Sequence, residues 1–406
     1  MGLQDTPRAN RPHIGLFGNR NAGKSSLLNA ITGQAKSLVS PVAGTTTDLV
    51  YQPFELERLG PVVFIDTAGL DDSGPLGTLR VEKTRQAVDT MDLAILVLTG
   101  PMKEELSWFQ WLQEKKIPIL PVLNQCDRME NVPAVQAYLS QQLGGLPVLP
   151  VSAKTGEQIP QLRQAIAQAL PDDFWELTIT GSLAQPGDLV LLVMPQDLQA
   201  PKGRLILPQV QTMRELLDKR CSVMSCTADC LEATLEALRI PPKLIITDSQ
   251  VFPSVWKAKP AESLLTSFSI LFARYKGDLG QTCRGVKALK TLEDGDRILI
   301  SEGCTHHRQC EDIGTVKIPR WLGEYTGKNL RLEHSSGRDF PEDLSPYQLV
   351  IHCGGCMLNG REMDYRRKTV ADAGVPFTNY GITIAHLKGI LKRSVELFPD
   401  LYALLP

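Results

Sequence analysis

No apolar run in this chain of 406 residues reaches the ~20 residues that a bilayer span requires. The N-terminal stretch MGLQDTPRANRPH has no apolar core of the kind an export signal carries, so the chain reads as cytoplasmic. Neither sign of charge dominates: 43 Lys and Arg stand against 45 Asp and Glu, a net charge of −2. That balance, without a basic stripe, gives no electrostatic reason to bind nucleic acid or a membrane. Histidine is scarce, six residues with no tract, which argues against a nickel- or zinc-insertion protein. Nine cysteines are an odd number, and a disulfide framework is not expected in a cytosolic chain. Internal repeats and low-complexity tracts are also lacking.

What is present implies several domains. With 43% hydrophobic residues and this length, two or three cores are expected. In the first third, apolar runs at 13–18, 62–66, 93–98, 117–123 and 148–151 alternate with helix-period stretches at 24–31, 79–89, 104–115, 135–143 and 158–170. Such alternation predicts a parallel sheet covered on both faces, an α/β domain over residues 1–175. A smaller α/β block over 176–260 repeats the pattern, with strands at 188–194, 221–225 and 243–247 and helices at 207–219 and 227–239. A partner or dimer surface is the expectation for it. The remainder, 261–406, carries a helix, a Gly/Asp turn at 293–296, strands around the cysteines and a C-terminal helix over 382–397.

The strand at 13–18 runs into Gly18-Asn19-Arg20-Asn21-Ala22-Gly23-Lys24-Ser25, and a helix opens behind it with Ser26. Glycines there let backbone N–H groups face phosphates, and the helix N-terminus adds positive potential. Lys24 is expected on the β- and γ-oxygens and Ser25 on Mg2+. Asp66-Thr67-Ala68-Gly69 ends a second strand, placing Asp66 to hold Mg2+ through water and the Gly69 N–H to sense the γ-phosphate. Asn124-Gln125-Cys126-Asp127 ends a third; the Asp127 carboxylate matches the N1 and N2 donors of guanine. Ser152-Ala153-Lys154 is expected to back the base through its main chain. The nucleotide is therefore GTP.

Together these motifs resemble those of the Ras-like, translation-factor-related GTPases over residues 11–172. Gln125 departs from the pattern, since a lysine normally stacks on the base there. Position 70 is leucine, so no glutamine follows Gly69 to orient the attacking water. Asn21 and the run Gly44-Thr45-Thr46-Thr47-Asp48 resemble the potassium-activated GTPases related to MnmE. That resemblance implies K+ seated by Asn21 beside the phosphates, and Thr45 or Thr46 as the switch threonine on Mg2+. The catalytic set is then Lys24, Thr46, Asp66 and Gly69.

Soft ligands cluster at Cys304 and His306 and, after 45 residues, at His352, Cys353 and Cys356. Four of them could close a zinc tetrahedron. Three thiolates could instead hold an iron–sulfur cluster with one exchangeable iron. Gly354 and Gly355 make room for either, and the residues alone leave both open. Cys310 lies outside the spacing, Cys221, Cys226, Cys230 and Cys283 read as buried thiols, and Arg361, Arg366, Arg367 and Lys368 as a solvated helix face.

Cys-x-His, the gap of 45, then His-Cys-x-x-Cys, behind a potassium-type GTPase, resembles the HydF family of FeFe-hydrogenase maturation GTPases. The run from Ala200 to Val210 is similar to that family too. The resemblance implies a 4Fe–4S cluster on Cys304, Cys353 and Cys356, with His306 and His352 as candidates for the fourth ligand or for hydrogen bonds to sulfur. It also implies a homodimer through the middle domain, a transient diiron subcluster as cargo, and radical-SAM maturases and apo FeFe-hydrogenase as partners. The rival reading is a GTPase with a structural zinc module acting in RNA modification or translation.

Overall fold

Short apolar runs rich in Val, Ile and Leu become the central strands of three sheets. The computed structural model describes residues 10–33, 49–56, 60–67, 75–170, 178–195, 205–303, 312–337 and 339–406. By internal contact the chain parts into two units, Met1–Phe174 and Trp175–Pro406.

In the first unit β1 (His13–Phe17), β2 (Val50–Leu56), β3 (Gly60–Asp66), β4 (Leu93–Leu98), β5 (Ile119–Leu123) and β6 (Leu149–Pro150) form one six-stranded sheet. Its order is β2-β3-β1-β4-β5-β6, with β2 antiparallel to β3 and every other pair parallel. Strands of a parallel sheet are buried on both faces, and successive side chains alternate between them. Ile14, Leu16, Ile95 and Val97 accordingly pack under the helices Lys24–Thr32 and Ile159–Ala169. Phe17, Leu96 and Leu98 turn the other way, toward Trp108, Leu112 and Leu139 of the helices Glu104–Glu114 and Val132–Gln142. The latter helix starts ahead of the expected residue 135, because the Asn131 side chain caps it by accepting from the Ala134 N–H at 3.1 Å.

In the second unit β7 (Leu189–Val193), β8 (Ser222–Cys226), β9 (Leu244–Thr247) and β10 (Leu264–Ser267) make a parallel sheet in the order β10-β9-β7-β8. A second parallel sheet has the order β12-β11-β13-β14, built from β11 (Arg297–Glu302), β12 (Arg331–Ser336), β13 (Leu349–His352) and β14 (Phe377–Asn379). One core joins the two sheets, with Leu191 and Ile245 of the first and Ile298, Ile300, Leu349 and Ile351 of the second.

Several expectations change. The helix expected over 227–239 is a 3-10 turn, Ala228–Cys230, followed by the short helix Leu231–Glu236. The helix expected over 382–397 is two pieces, Tyr380–Leu387 and Leu391–Ser394, because Gly389 (φ 69°) turns the chain between them. Cys221 and Cys283 are buried, whereas Cys226 is half-buried and Cys230 is exposed. Arg366 does not belong to a solvated face. It is 2% exposed, and its chemistry belongs to the site below. Among the described residues no helix is long and apolar enough to cross a membrane.

The helix Leu279–Gly285 lies against β14 so closely that a methyl at Gly285 would sit 1.9 Å from the Phe377 carbonyl oxygen. Backbone cannot yield as a side chain does. Gly285→Ala is therefore expected to destabilise the second unit by about 1–3 kcal/mol, read as a lower urea midpoint with an unchanged slope.

Candidate functional site

Parallel strands deliver their following loops to one edge of the sheet, and that edge is where α/β proteins bind ligands. The end of β1 passes into the loop 18–23. Gly18 (φ 153°) has no room for a side chain, since a Cβ would lie 2.4 Å from the Val97 carbonyl oxygen. Gly23 (φ 86°) is equally confined, 2.5 Å from Asn124 Nδ2. Lys24, 9% exposed, folds its ammonium back over the loop, Nζ donating to the carbonyls of Gly18 (2.8 Å) and Asn19 (3.0 Å). Ser25 Oγ donates to Asp66 Oδ2 at 3.2 Å. Burial raises the Asp66 carboxyl above its ordinary range, opposed by the charge of Lys24 and the Ser25 hydroxyl. A hydroxyl and a half-buried carboxylate side by side at a phosphate loop form a hard oxygen pair of the kind Mg2+ takes.

The base end is assembled from β5 and β6. Asn124, 1% exposed, donates Nδ2–H to the Ala22 carbonyl (2.9 Å) and accepts from the Ala153 N–H (3.1 Å). It thereby ties the phosphate loop to the segment after β6. Ser152 Oγ donates to Asp127 Oδ1 at 2.7 Å, which holds that exposed carboxylate below its usual range. Gln125 (φ 64°) donates Nε2–H to the Asn21 carbonyl at 3.0 Å. A cleft of about 470 Å3 opens here, lined by Gly23, Ser26, Asn29, Asn124, Asp127 and Lys154 among others. That volume lies within the ~300–1,000 Å3 common for small-molecule sites. Arg128, which sequence reasoning passed over, also lines it and donates to Gln125 Oε1 at 3.4 Å. Thr45, Thr46 and Gly69 lie outside the described residues.

The last sheet presents its own C-terminal edge. β11 and β13 pair in parallel, so Gly303 and Cys353 emerge side by side. Cys353 Sγ accepts from the Gly303 N–H (3.1 Å) and the Gly355 N–H (3.4 Å). Burial pushes this thiol up to about 11, and the two amides oppose that by favouring the thiolate. Cys356 is also raised by burial, opposed first by Lys276. Lys276 Nζ donates to the carbonyls of Leu358 (2.9 Å), Cys356 (3.2 Å) and Gly355 (3.3 Å). Gly355 (φ 62°) takes the left-handed turn between the cysteines, with Met363 too close for any side chain there. On the same edge Tyr380 Oη donates to Glu302 Oε1 at 3.1 Å. A pair of soft thiols, amides aimed at sulfur and a buried cation form a donor set that fits an anionic metal–thiolate group. Cys304 and His306, and Cys310, lie outside the described residues, and no group of three or more ligating side chains occurs among the described ones.

His352 is fully buried at the end of β13, and both of its ring nitrogens are engaged. Nδ1 meets the Cys353 carbonyl at 2.8 Å and Nε2 meets Arg366 Nη1 at 3.2 Å. Burial, helped by Arg366, pushes it down to about 3, so the ring is neutral. Since Arg366 can only donate, Nε2 accepts and the proton sits on Nδ1. Arg366 is itself anchored by Glu362 (2.8 Å) and the Gly337 carbonyl, beneath the Phe340 ring. Held this way, the histidine supports the strand end behind Cys353. Lys276 and Arg366 carry no sequence signal of these roles: Lys276 lies 80 residues before Cys356, and Arg366 lies in the helix that follows the cysteine loop.

A largely parallel sheet with a phosphate loop, a Ser25–Asp66 pair and a guanine-type base pocket defines a P-loop GTPase domain. Residues 13–125 match the family model described as a 50S ribosome-binding GTPase. Residues 179–277 match the hydrogen maturase F dimerization domain and 280–397 its tetramerization domain, together more than half of the chain. The chain belongs to the hydrogen maturase F (HydF) family. The third block, expected as a cluster-binding domain, thus matches a description of self-association. Among curated proteins, the tRNA modification GTPase MnmE of Roseiflexus castenholzii is 34% identical over 171 residues, 39% of this chain and 36% of that protein. GTPase Der of Wolinella succinogenes is 33% identical over 168 residues, 38% of this chain and 34% of that one. MnmE of Nitrosomonas europaea is 30% identical over 243 residues, 59% of this chain and 48% of that one. The chain thus spans between a third and a half of the length of these relatives.

Asn124→Ala would leave the Ala22 carbonyl and the Ala153 N–H without their partner, each worth about 1–3 kcal/mol when buried. Affinity for a fluorescent GDP analogue is expected to fall about 10–100-fold, while melting of the second unit stays unchanged.

Proposed function

We propose that the chain is a GTPase that carries an iron–sulfur cluster and serves FeFe-hydrogenase maturation as scaffold and carrier of the diiron subcluster. The observation that carries this reading is the half-buried Cys353 thiol at the carboxyl edge of its sheet, with two backbone amides aimed at its sulfur, in a chain of the HydF family. Cys353, Cys356 and Cys304 would hold a 4Fe–4S cluster. When bound, that cluster would supply one exchangeable iron position to which a second iron unit can attach and from which it can leave. The diiron subcluster is cargo, received from radical-SAM maturases and passed to apo-hydrogenase. The descriptions of the two matched domains support self-association as dimer and tetramer.

In the nucleotide site the reaction is attack of water on the γ-phosphorus of GTP, with cleavage of the bond to the bridging oxygen and release of GDP and phosphate. The transition state gathers charge on the transferred group and the leaving oxygen, and catalysis is mainly positioning and charge. Lys24 supplies one cation, and Ser25, Thr46 and Asp66 would hold Mg2+. Leu70 cannot orient water as a glutamine does, and intrinsic turnover without help is only ~10⁻⁴ s⁻¹ in Ras. Asn21 would seat K+ beside the phosphates as the missing charge. Its loop position is held from behind by Gln125. Hydrolysis would then bias a conformational equilibrium through the switch segments, and do no chemistry on the cluster.

GTP turnover is expected to be at least tenfold faster in potassium than in sodium at equal ionic strength, and Asn21→Ala should abolish the difference. Equal rates of the unaltered chain in both salts would reject the potassium site. Anaerobic reconstitution with iron and sulfide should give an S = 1/2 EPR signal on reduction. Stoichiometric zinc with no such signal would overturn the scaffold reading.

A further inference from the structure

Lys276 follows the helix Phe268–Tyr275, inside the dimerization match, yet its side chain reaches into the Cys353–Leu358 loop of the neighbouring domain. The residue is 7% exposed, and its ammonium is bonded to three carbonyls of that loop. Three donors are thus matched by three acceptors, but the charge has no carboxylate partner among the described residues. Asp278, two residues on, turns instead to the Gln281 N–H (2.9 Å) and to Arg284 and Arg367. A buried ammonium without a counter-ion is costly, and such groups are retained where a negative charge is held nearby. The groups facing it are the thiols of Cys353, with which it lines one small cavity, and of Cys356, which would become negative as ligands of a cluster.

We infer that Lys276 is a positioning residue and the built-in counter-ion of the Cys353–Cys356 site, fixing the loop that presents these thiolates and compensating the added negative charge of a reduced cluster. This rests on the reading of that loop as a cluster site. It also means that the cluster's electrostatics are set from the dimerization domain, so the two domains are coupled through one side chain.

The test compares the unaltered chain with Lys276→Met and Lys276→Arg after anaerobic reconstitution, by EPR-monitored redox titration with dithionite and by melting of the cluster-free proteins. Removing the charge should disfavour the reduced state. At a fixed potential the reduced-to-oxidised ratio of the Met variant is expected to fall about tenfold, a midpoint about 59 mV more negative. The Arg variant should return to within about twofold of the unaltered chain. A Met variant with an unchanged midpoint overturns the assignment, whether or not its cluster-free form melts earlier, because a purely mechanical clamp would alter melting alone. If the Met variant yields no soluble protein, Lys276→Gln is read by the same two outcomes. An unaltered chain that takes up no iron and sulfide sinks the cluster reading itself, and the counter-ion with it.

Discussion

The parallel pairing of strands is the constraint on which the rest of this structure depends. Parallel strands need crossovers, and crossovers place every chemically active loop at the carboxyl edge of its sheet. In the first unit that edge gathers Gly18–Lys24 after β1, Asp66 at the end of β3, Asn124 after β5 and Ser152 after β6. In the last sheet it gathers Glu302 at the end of β11, Gly303 after it and Cys353 after β13. Neither site is built by one contiguous segment. Each exists because the register of a hydrogen-bonded ladder brings distant turns within 3 Å or so of one another.

The two sites handle buried charge by different means. In the nucleotide site the fixed groups are balanced locally: Lys24 on loop carbonyls, Asp66 beside Ser25, Asp127 beside Ser152. An incoming triphosphate with its cations replaces one set of charge contacts by another. Around Cys353 the fixed charge is mixed, the Glu302 carboxylate opposing the groups that favour a thiolate. Lys276 and the amides of Gly303 and Gly355 all favour negative sulfur, while His352 is held neutral behind the strand by Arg366. Such an environment suits a group that arrives with its own metal charge and thiolate ligation.

Much of this was legible in the sequence, and the reason is local. A phosphate loop needs its glycines at fixed positions because φ is positive at Gly23 and a Cβ would collide at Gly18, so the motif is readable without a structure. Strands buried on both faces are readable as unbroken apolar runs, as Leu93–Leu98 is. The less legible elements were those where tertiary contact overrides pattern. The break at Gly389 interrupts what reads as one helix, and β2 is apolar only in alternation because it lies at the antiparallel edge. Arg366 sits among Arg367 and Lys368 in sequence, and charge alone marks all three for solvent; Arg366 turns inward to His352, Arg367 turns to Gln281 and Asp278, and Lys368 stays exposed.

By itself, the sequence determined the nucleotide motifs and the alternation of strands and helices, since each follows from short-range backbone chemistry. The tertiary structure alone decided which charges stand behind those motifs. Lys276 meets the cysteine loop from a separate sequence domain, Arg366 fixes the tautomer of His352, and Gln125 braces the carbonyl of Asn21. Those contacts join residues that no period or motif links. Burial in a low-dielectric interior, which gives each of them its electrostatic weight, is a property of the packed chain and not of any segment of it.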